Sequence, residues 1–154
     1  MARSVDLALA NVHDGGKPFA CIVVDGDGEV LAEATNQVVQ SGDCTAHAEI
    51  TAIRDLAARG RRDLTGCTVY VTAYPCPMCL GALYYAQPDA VVYAATREQE
   101  SEFYEDGNRY MSLDSFYDEY AKDIADRTLP ARQGDTADPQ APFKAWTAAH
   151  PDGS

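Results

Sequence analysis

Residues 67–95 constrain the fold more than any other stretch of the chain. They read CTVYVTA (67–73), PCPMCLGALYYAQ (75–87) and AVVYAA (90–95): a β-branched run, an apolar segment with helical spacing, and a second strand-like run. The prolines that open the middle segment suit a helix start, and the joints between the three segments are short. This order predicts a βαβ unit, in which a right-handed crossover joins two parallel strands.

The first part of the chain predicts the rest of the sheet. PFACIVVD (18–25) and EVLAEATN (29–36) are strand-like, and the GDG between them is typical of a tight turn, so we expect an antiparallel hairpin. Helices are expected over SVDLALANV, which DGG stops, and over 46–60, which Asp43 or Thr45 can cap. We therefore predict an α/β protein with three α/β/α layers: a mixed sheet with helices on both faces.

The length of 154 residues is that of one domain spanning residues 1–154. The pattern weakens after about residue 97, where we expect one helix around 114–125, a loop, and a closing helical turn at FKAWTAAH. Long irregular tails in compact domains usually serve a function or contact a partner. We therefore treat residues 127–154 as a functional C-terminal tail.

The charge balance argues against a nucleic-acid partner. The chain has 24 acidic and 12 basic residues, a formal net charge of −12, whereas binding a phosphate backbone needs clustered Lys and Arg. The cluster RGRR (59–62) falls at the end of a predicted helix, where cations complement the helix dipole.

No apolar run approaches the roughly eighteen residues that span a bilayer, and the first residues do not read as a signal peptide. We expect a cytoplasmic protein with no membrane partner.

The five cysteines divide into classes by their surroundings. Cys21 and Cys67 lie in apolar strand-like runs and are expected to be buried, inert thiols. Cys76 and Cys79 stand three apart at a helix start, where they share one face and the helix dipole stabilises thiolates. His47 also lies near a predicted helix start. One imidazole and two thiolates neutralise Zn²⁺ and leave the fourth tetrahedral position to water. We predict one Zn²⁺ per chain, with a bound water or hydroxide.

Glu49 distinguishes a catalytic site from a structural one. On a helix it points away from His47, so its carboxylate is free to take a proton from the water and hand it to a leaving nitrogen. Two alternatives stay open: Cys44 as a fourth ligand of a structural site, and a thioredoxin-like redox pair, which would leave His-Ala-Glu unexplained. The joint pattern, H-x-E followed by P-C-x-x-C, is the signature of zinc-dependent nucleobase deaminases.

These motifs resemble the cytidine/deoxycytidylate deaminase superfamily. GKPFACIVV, AEATNQVVQSGDCTAHAEITAIR, CPMCLGALYYAQPDAVVYAA, LDSFYDEYAKDIADRTLP and APFKAW are similar, in the same order, to segments of its bacterial guanine deaminase branch. The resemblance implies the three-layer fold of that superfamily and hydrolytic deamination of an aminopurine-type base, first of all guanine to xanthine and ammonia. It also implies a homodimer whose C-terminal segments are exchanged, each closing the partner's active site.

The resemblance assigns site residues by motif position. It makes His47, Cys76 and Cys79 the zinc ligands and Glu49 the proton shuttle. The substrate-binding residues that it implies are Asn36, as a hydrogen-bond partner of the ring; Asp114, to read a ring N–H or amino edge or to assist proton transfer; and Phe19 and Tyr85, to stack on the ring.

Several departures from the branch touch the expected pocket or its lid, and none touches the zinc ligands; three of them flank the site motifs. Tyr74 stands where the branch has Glu, Cys44 where it has Pro, and Tyr85 where it has Trp. Other rings therefore stay open as substrates: guanosine, cytosine, a pterin or an aminotriazine. A catalytically inactive zinc-binding module is the alternative from another class of protein.

Overall fold

The computed structural model describes residues 1–110 and 112–150, without the side chain of Leu113. Within them the chain forms four strands, seven helices and two short 3₁₀ turns, at Leu113–Ser115 and Ile124–Asp126. In chain order the elements are α1 (Ala2–His13), β1 (Ala20–Asp25), β2 (Val30–Thr35), α2 (Val38–Ser41), α3 (Ala48–Ala58), β3 (Cys67–Ala73), α4 (Pro77–Ala86), β4 (Ala90–Ala95), α5 (Arg97–Ser101), α6 (Phe116–Ala121) and α7 (Ala141–Ala149).

The four strands form one mixed sheet in the order β2-β1-β3-β4. β1 pairs antiparallel with β2 and with β3, and β3 pairs parallel with β4. Both the hairpin and the βαβ unit predicted from the sequence are therefore confirmed. β3 and β4 begin and end at the predicted residues, 67–73 and 90–95.

The core lies between the sheet and the two helices α3 and α4. Alternate residues of β1 and β3 point to this side, because side chains alternate between the two faces of a strand. Ile22, which lies between two of them, points to the opposite face, where α1 packs against β1 and β3. The three-layer prediction is thus confirmed. The cluster on the α3 and α4 side comprises Cys21, Val23, Ala32, Ala48, Ala52, Leu56, Leu64, Cys67, Val69, Val71, Leu83 and Ala86.

Some helix boundaries differ from the sequence prediction. α3 begins at Ala48 with His47 at its N-cap position, whereas Asp43 or Thr45 was expected to cap it. The Asp43 carboxylate instead accepts hydrogen bonds from the backbone N–H and the hydroxyl of Thr45, at 2.8 and 2.7 Å, which forms a turn before the helix. The helix expected around 114–125 is broken into a 3₁₀ turn, α6 and a second 3₁₀ turn.

A buried polar network joins α1 to the end of β2. Asn11 Nδ2 donates hydrogen bonds to the backbone carbonyls of Lys17, at 2.8 Å, and Asn36, at 3.0 Å. Gly16 packs so closely against this network that a Cβ there would lie 2.5 Å from Asn11 Nδ2 and from Gln40 Nε2. The network therefore fixes the backbone at Asn36, a predicted site residue.

The chain divides into two units, residues 1–121 and 122–154. In the second unit α7 carries Lys144, whose Nζ pairs with the Asp138 carboxylate at 3.0 Å, and Trp146, whose ring stacks on His150 with the centroids 3.7 Å apart. The predicted closing turn at FKAWTAAH is thus part of a nine-residue helix. No helix in the described ranges is long and apolar enough to cross a membrane.

We expect Asn11→Ala to lower the free energy of unfolding by about 1–3 kcal/mol, because it removes two hydrogen bonds to buried backbone carbonyls. Urea denaturation of the purified protein measures this change. Asp6→Ala, at an exposed position of the same helix, should stay within about 0.5 kcal/mol of the parent protein. Equal losses in the two variants would contradict the role of the network.

Candidate metal centre and active site

Two helix starts bring the predicted metal ligands together. His47 and Cys76 occupy the N-cap positions of α3 and α4, both with extended backbone, and Cys79 lies buried in the first turn of α4. Pro77 is the first residue of α4, where its missing N–H has no intrahelical partner to lose. Both helices pack on the same face of the sheet, so their starts meet at one point.

The three ligand atoms are close enough to hold one ion. His47 Nδ1 lies 3.6 Å from Cys76 Sγ and 3.6 Å from Cys79 Sγ, and all three atoms lie within 4.8 Å of one another. One imidazole and two thiolates suit zinc, and three protein ligands are the number found at catalytic zinc sites. Cys44 is exposed and is not part of this group. The geometry thus favours the three-ligand site over the structural four-ligand alternative.

The two cysteine thiols have shifted pKa values, and their thiolates can balance the charge of a bound cation. A hydrogen bond from the Cys79 thiol, assisted by one from His47, lowers the pKa of Cys76 to about 4. The same contact between the thiols, together with burial, raises the pKa of Cys79. Zinc would take the place of the thiol protons, and the two thiolates would balance its charge.

Glu49 lies in the first turn of α3, beside the three ligands. Glu49 is 8% exposed, and it lines the same cavity as His47 and Cys76. Burial raises the pKa of its carboxyl above the ordinary value. A carboxyl whose pKa is raised in this way holds a proton more readily than an exposed one, which suits a group that gains and loses a proton during a reaction.

Two of the ligands, His47 and Cys76, line a small cavity of about 40 Å³. It adjoins a groove of about 410 Å³, with which it shares Tyr74, Arg97 and Tyr117. It also shares four lining residues with a second groove, of about 290 Å³: His47, Cys76, Asp106 and Phe116. The cavity is lined by Phe19, His47, Glu49, Val71, Thr72, Ala73, Tyr74, Pro75, Cys76, Arg97, Glu100, Asp106, Phe116 and Tyr117.

The predicted substrate-binding residues lie in different surroundings. Phe19 lines the cavity, and its ring contacts that of Tyr104 edge-on, with the centroids 5.1 Å apart. Asn36 is 1% exposed; its Oδ1 accepts a hydrogen bond from the backbone N–H of Val38, and its Nδ2 has no partner among the described residues. Asp114 is exposed and Tyr85 is 89% exposed, and neither lines the cavity.

Arg97 and Glu100 are among the cavity residues that the sequence reasoning missed, because the pattern weakens after about residue 97. Both belong to the short helix α5. A signal for this helix is present, because Thr96 and Gln99 form a capping box in which each side chain bonds the other residue's backbone N–H. Burial, followed by the charges of Asp106, Cys76 and Glu49, raises the pKa of Glu100 to about 7.

Tyr74 forms part of an aromatic wall of the cavity. Its ring contacts those of Tyr93 and Tyr117 edge-on, with centroid distances of 5.1 and 6.1 Å. The Tyr117 hydroxyl donates a hydrogen bond to the Pro75 carbonyl at 2.7 Å, and burial raises the pKa of Tyr117 to about 12. The residue that departs from the guanine deaminase pattern is therefore packed into the wall beside Cys76.

Comparisons with known proteins agree with this geometry. The cytidine and deoxycytidylate deaminase zinc-binding region matches residues 1–95. Guanine deaminase of Bacillus subtilis strain 168 is 42% identical over 149 residues, which cover 95% of this chain and 90% of that protein. The X-ray structure of guanine deaminase from Bacillus subtilis superposes with a TM-score of 0.85 at 40% identity, covering 96% of this chain and 90% of that one.

A guanine deaminase structure from Nitrosomonas europaea matches with a TM-score of 0.62 at 29% identity, covering 73% of this chain and 66% of that one. The match to the family includes the segments that carry His47, Glu49, Cys76 and Cys79. The chain therefore belongs to the cytidine and deoxycytidylate deaminase family and is a zinc-dependent hydrolytic deaminase acting on a small molecule.

Proposed function

We propose that the protein deaminates guanine, consuming one water and releasing xanthine and ammonia. The observation that carries this proposal is the likeness to Bacillus subtilis guanine deaminase over nearly the whole chain, including the part after residue 95. The family's zinc-binding region ends at residue 95. Agreement beyond that point therefore favours the guanine deaminase branch over other members.

The residues at the site divide into metal ligands and a group that transfers protons. His47, Cys76 and Cys79 would hold zinc, which when bound lowers the pKa of water at the site from about 15.7 to about 7. Glu49 lies within reach of the same cavity and is shielded from solvent. It takes a proton from water and delivers it to the nitrogen that leaves, acting first as general base and then as general acid.

Asn36 and Phe19 are proposed to hold the base. A buried amide N–H without a partner is costly, and a ring nitrogen or carbonyl of the substrate would satisfy Asn36 Nδ2. Asn36 is tied to the cavity through its backbone N–H, which donates to the Phe19 carbonyl at 2.9 Å. Phe19 offers an aromatic edge or face to the ring. The substrate roles of Asp114 and Tyr85 stay predictions from the family resemblance.

We also propose that the protein is a cytoplasmic homodimer, that residues 127–154 are exchanged between its subunits to close the active sites, and that it does not bind nucleic acid. The net charge of −12 supports the last point. The exposed rings of Phe143 and Trp146 on α7, together with Tyr84 and Tyr85 on α4, support a contact with a further chain.

We expect Glu49→Gln to lower kcat for guanine by at least about a hundredfold, the scale of a lost general base, while zinc stays bound. Ammonia release and metal content of the same preparation measure both quantities. Glu29→Gln, at an exposed position, is the matched control and should retain parental kcat. Normal turnover by the Glu49 variant would rule out its proton-transfer role.

We expect Cys76→Ser to weaken zinc binding by more than about a hundredfold, beyond what changes around a metal site usually cause. Cys44→Ser should keep the parental affinity, because the Cys44 thiol lies outside the ligand group. Competition against a chromophoric chelator measures the affinities. Comparable losses in both variants would instead support a four-ligand structural site.

A further inference from the structure

The metal ligand Cys76 lies where the backbone has few hydrogen-bond donors of its own. Pro75 and Pro77 flank it at the passage from β3 to α4, and a proline has no N–H to donate. Before them, the Tyr74 N–H donates to the Ala95 carbonyl at 3.0 Å. The backbone next to Cys76 therefore depends on donors from other parts of the chain.

The other two ligands are held by residues near them in the sequence. The His47 N–H donates to the Thr45 carbonyl at 2.8 Å, and the His47 carbonyl accepts hydrogen bonds from the N–H and the hydroxyl of Thr51, at 2.9 Å each. Cys79 is buried in the first turn of α4. The Cys76 carbonyl accepts the first bond of that helix, but the backbone before Cys76 lies outside it.

Tyr117, on α6, donates a hydrogen bond to this backbone. Its hydroxyl lies 2.7 Å from the Pro75 carbonyl oxygen. Pro75 is buried, and a buried carbonyl without a partner would be costly. Burial raises the pKa of Tyr117 to about 12, so the hydroxyl keeps its proton at neutral pH and can donate it. The bond connects α6 to the residue that directly precedes Cys76.

The Tyr117 ring is held in place by two neighbouring side chains. The Arg97 guanidinium lies over the ring, with its central carbon 4.8 Å from the centroid, and the Tyr74 ring contacts it edge-on. Tyr74 is packed in turn against Tyr93. The tyrosine at position 74, where the guanine deaminase branch has Glu, thus supports the ring whose hydroxyl holds the Pro75 carbonyl.

We propose that Tyr117 is a positioning residue of the metal centre: its hydroxyl holds the Pro75 carbonyl and thereby fixes where the Cys76 thiolate meets zinc. Tyr117 lies beyond residue 95, where the match to the family's zinc-binding region ends. The later part of the chain therefore contributes to metal binding. This role does not depend on which ring the enzyme deaminates.

Tyr117→Phe removes the hydroxyl and keeps the ring. We expect it to weaken zinc binding by about 3- to 10-fold, the scale of one neutral hydrogen bond, because the backbone before Cys76 then occupies the metal-binding position for less of the time. Tyr74→Phe is the matched control. It removes the same group from the neighbouring ring and leaves the bond to Pro75 in place, so zinc affinity should stay at the parental value. Competition of the full-length proteins for zinc against a chromophoric chelator measures both affinities.

Two results would overturn the role of Tyr117. Parental zinc affinity in the Tyr117→Phe variant would do so, and a raised KM for guanine in that zinc-saturated variant would make the hydroxyl a substrate contact instead. Equal losses of zinc affinity in the two Phe variants would mean that the packing of the wall, and not the hydrogen bond, supports the metal centre. A parent protein that binds zinc but does not deaminate guanine would overturn the proposed function alone, because the affinities are compared without substrate.

Discussion

The meeting of two helix starts at one buried point is the constraint on which the rest of this molecule depends. It gathers the thiols of Cys76 and Cys79 and the carboxyl of Glu49 in a place largely shielded from water. Such a concentration of ionisable acidic groups is costly unless a cation balances it. The fold places the ligand side chains, and the positive charge of zinc balances their negative charge. Metal binding and the shape of the cavity are therefore coupled.

The metal centre could be predicted from the sequence because its geometry is local. The spacing of Cys76 and Cys79 fixes both thiols on one helix turn, and the βαβ pattern fixes where that helix begins. His47 and Glu49 open the other helix in the same way. The two starts meet because α3 and α4 cover the same face of one sheet.

The part of the cavity that α5 lines could not be predicted in this way. Arg97 and Glu100 belong to a five-residue helix whose place depends on tertiary contacts and not on apolar periodicity. The family motif pointed to Asp114 and Tyr85, yet both side chains are exposed in the described part of the chain. Asn36 was predicted as a site residue, but its unpartnered amide N–H became apparent only with its neighbours in place.

The measurement that tests the central claim most directly is X-ray absorption at the zinc edge of the purified, zinc-loaded protein. A centre held by His47, Cys76 and Cys79 predicts two sulfur neighbours at about 2.3 Å, one nitrogen at about 2.0–2.1 Å, and one light atom from solvent. A shell of three or four sulfurs would mean that Cys44 or another thiol closes the site. That result would contradict a hydrolytic centre with an open position.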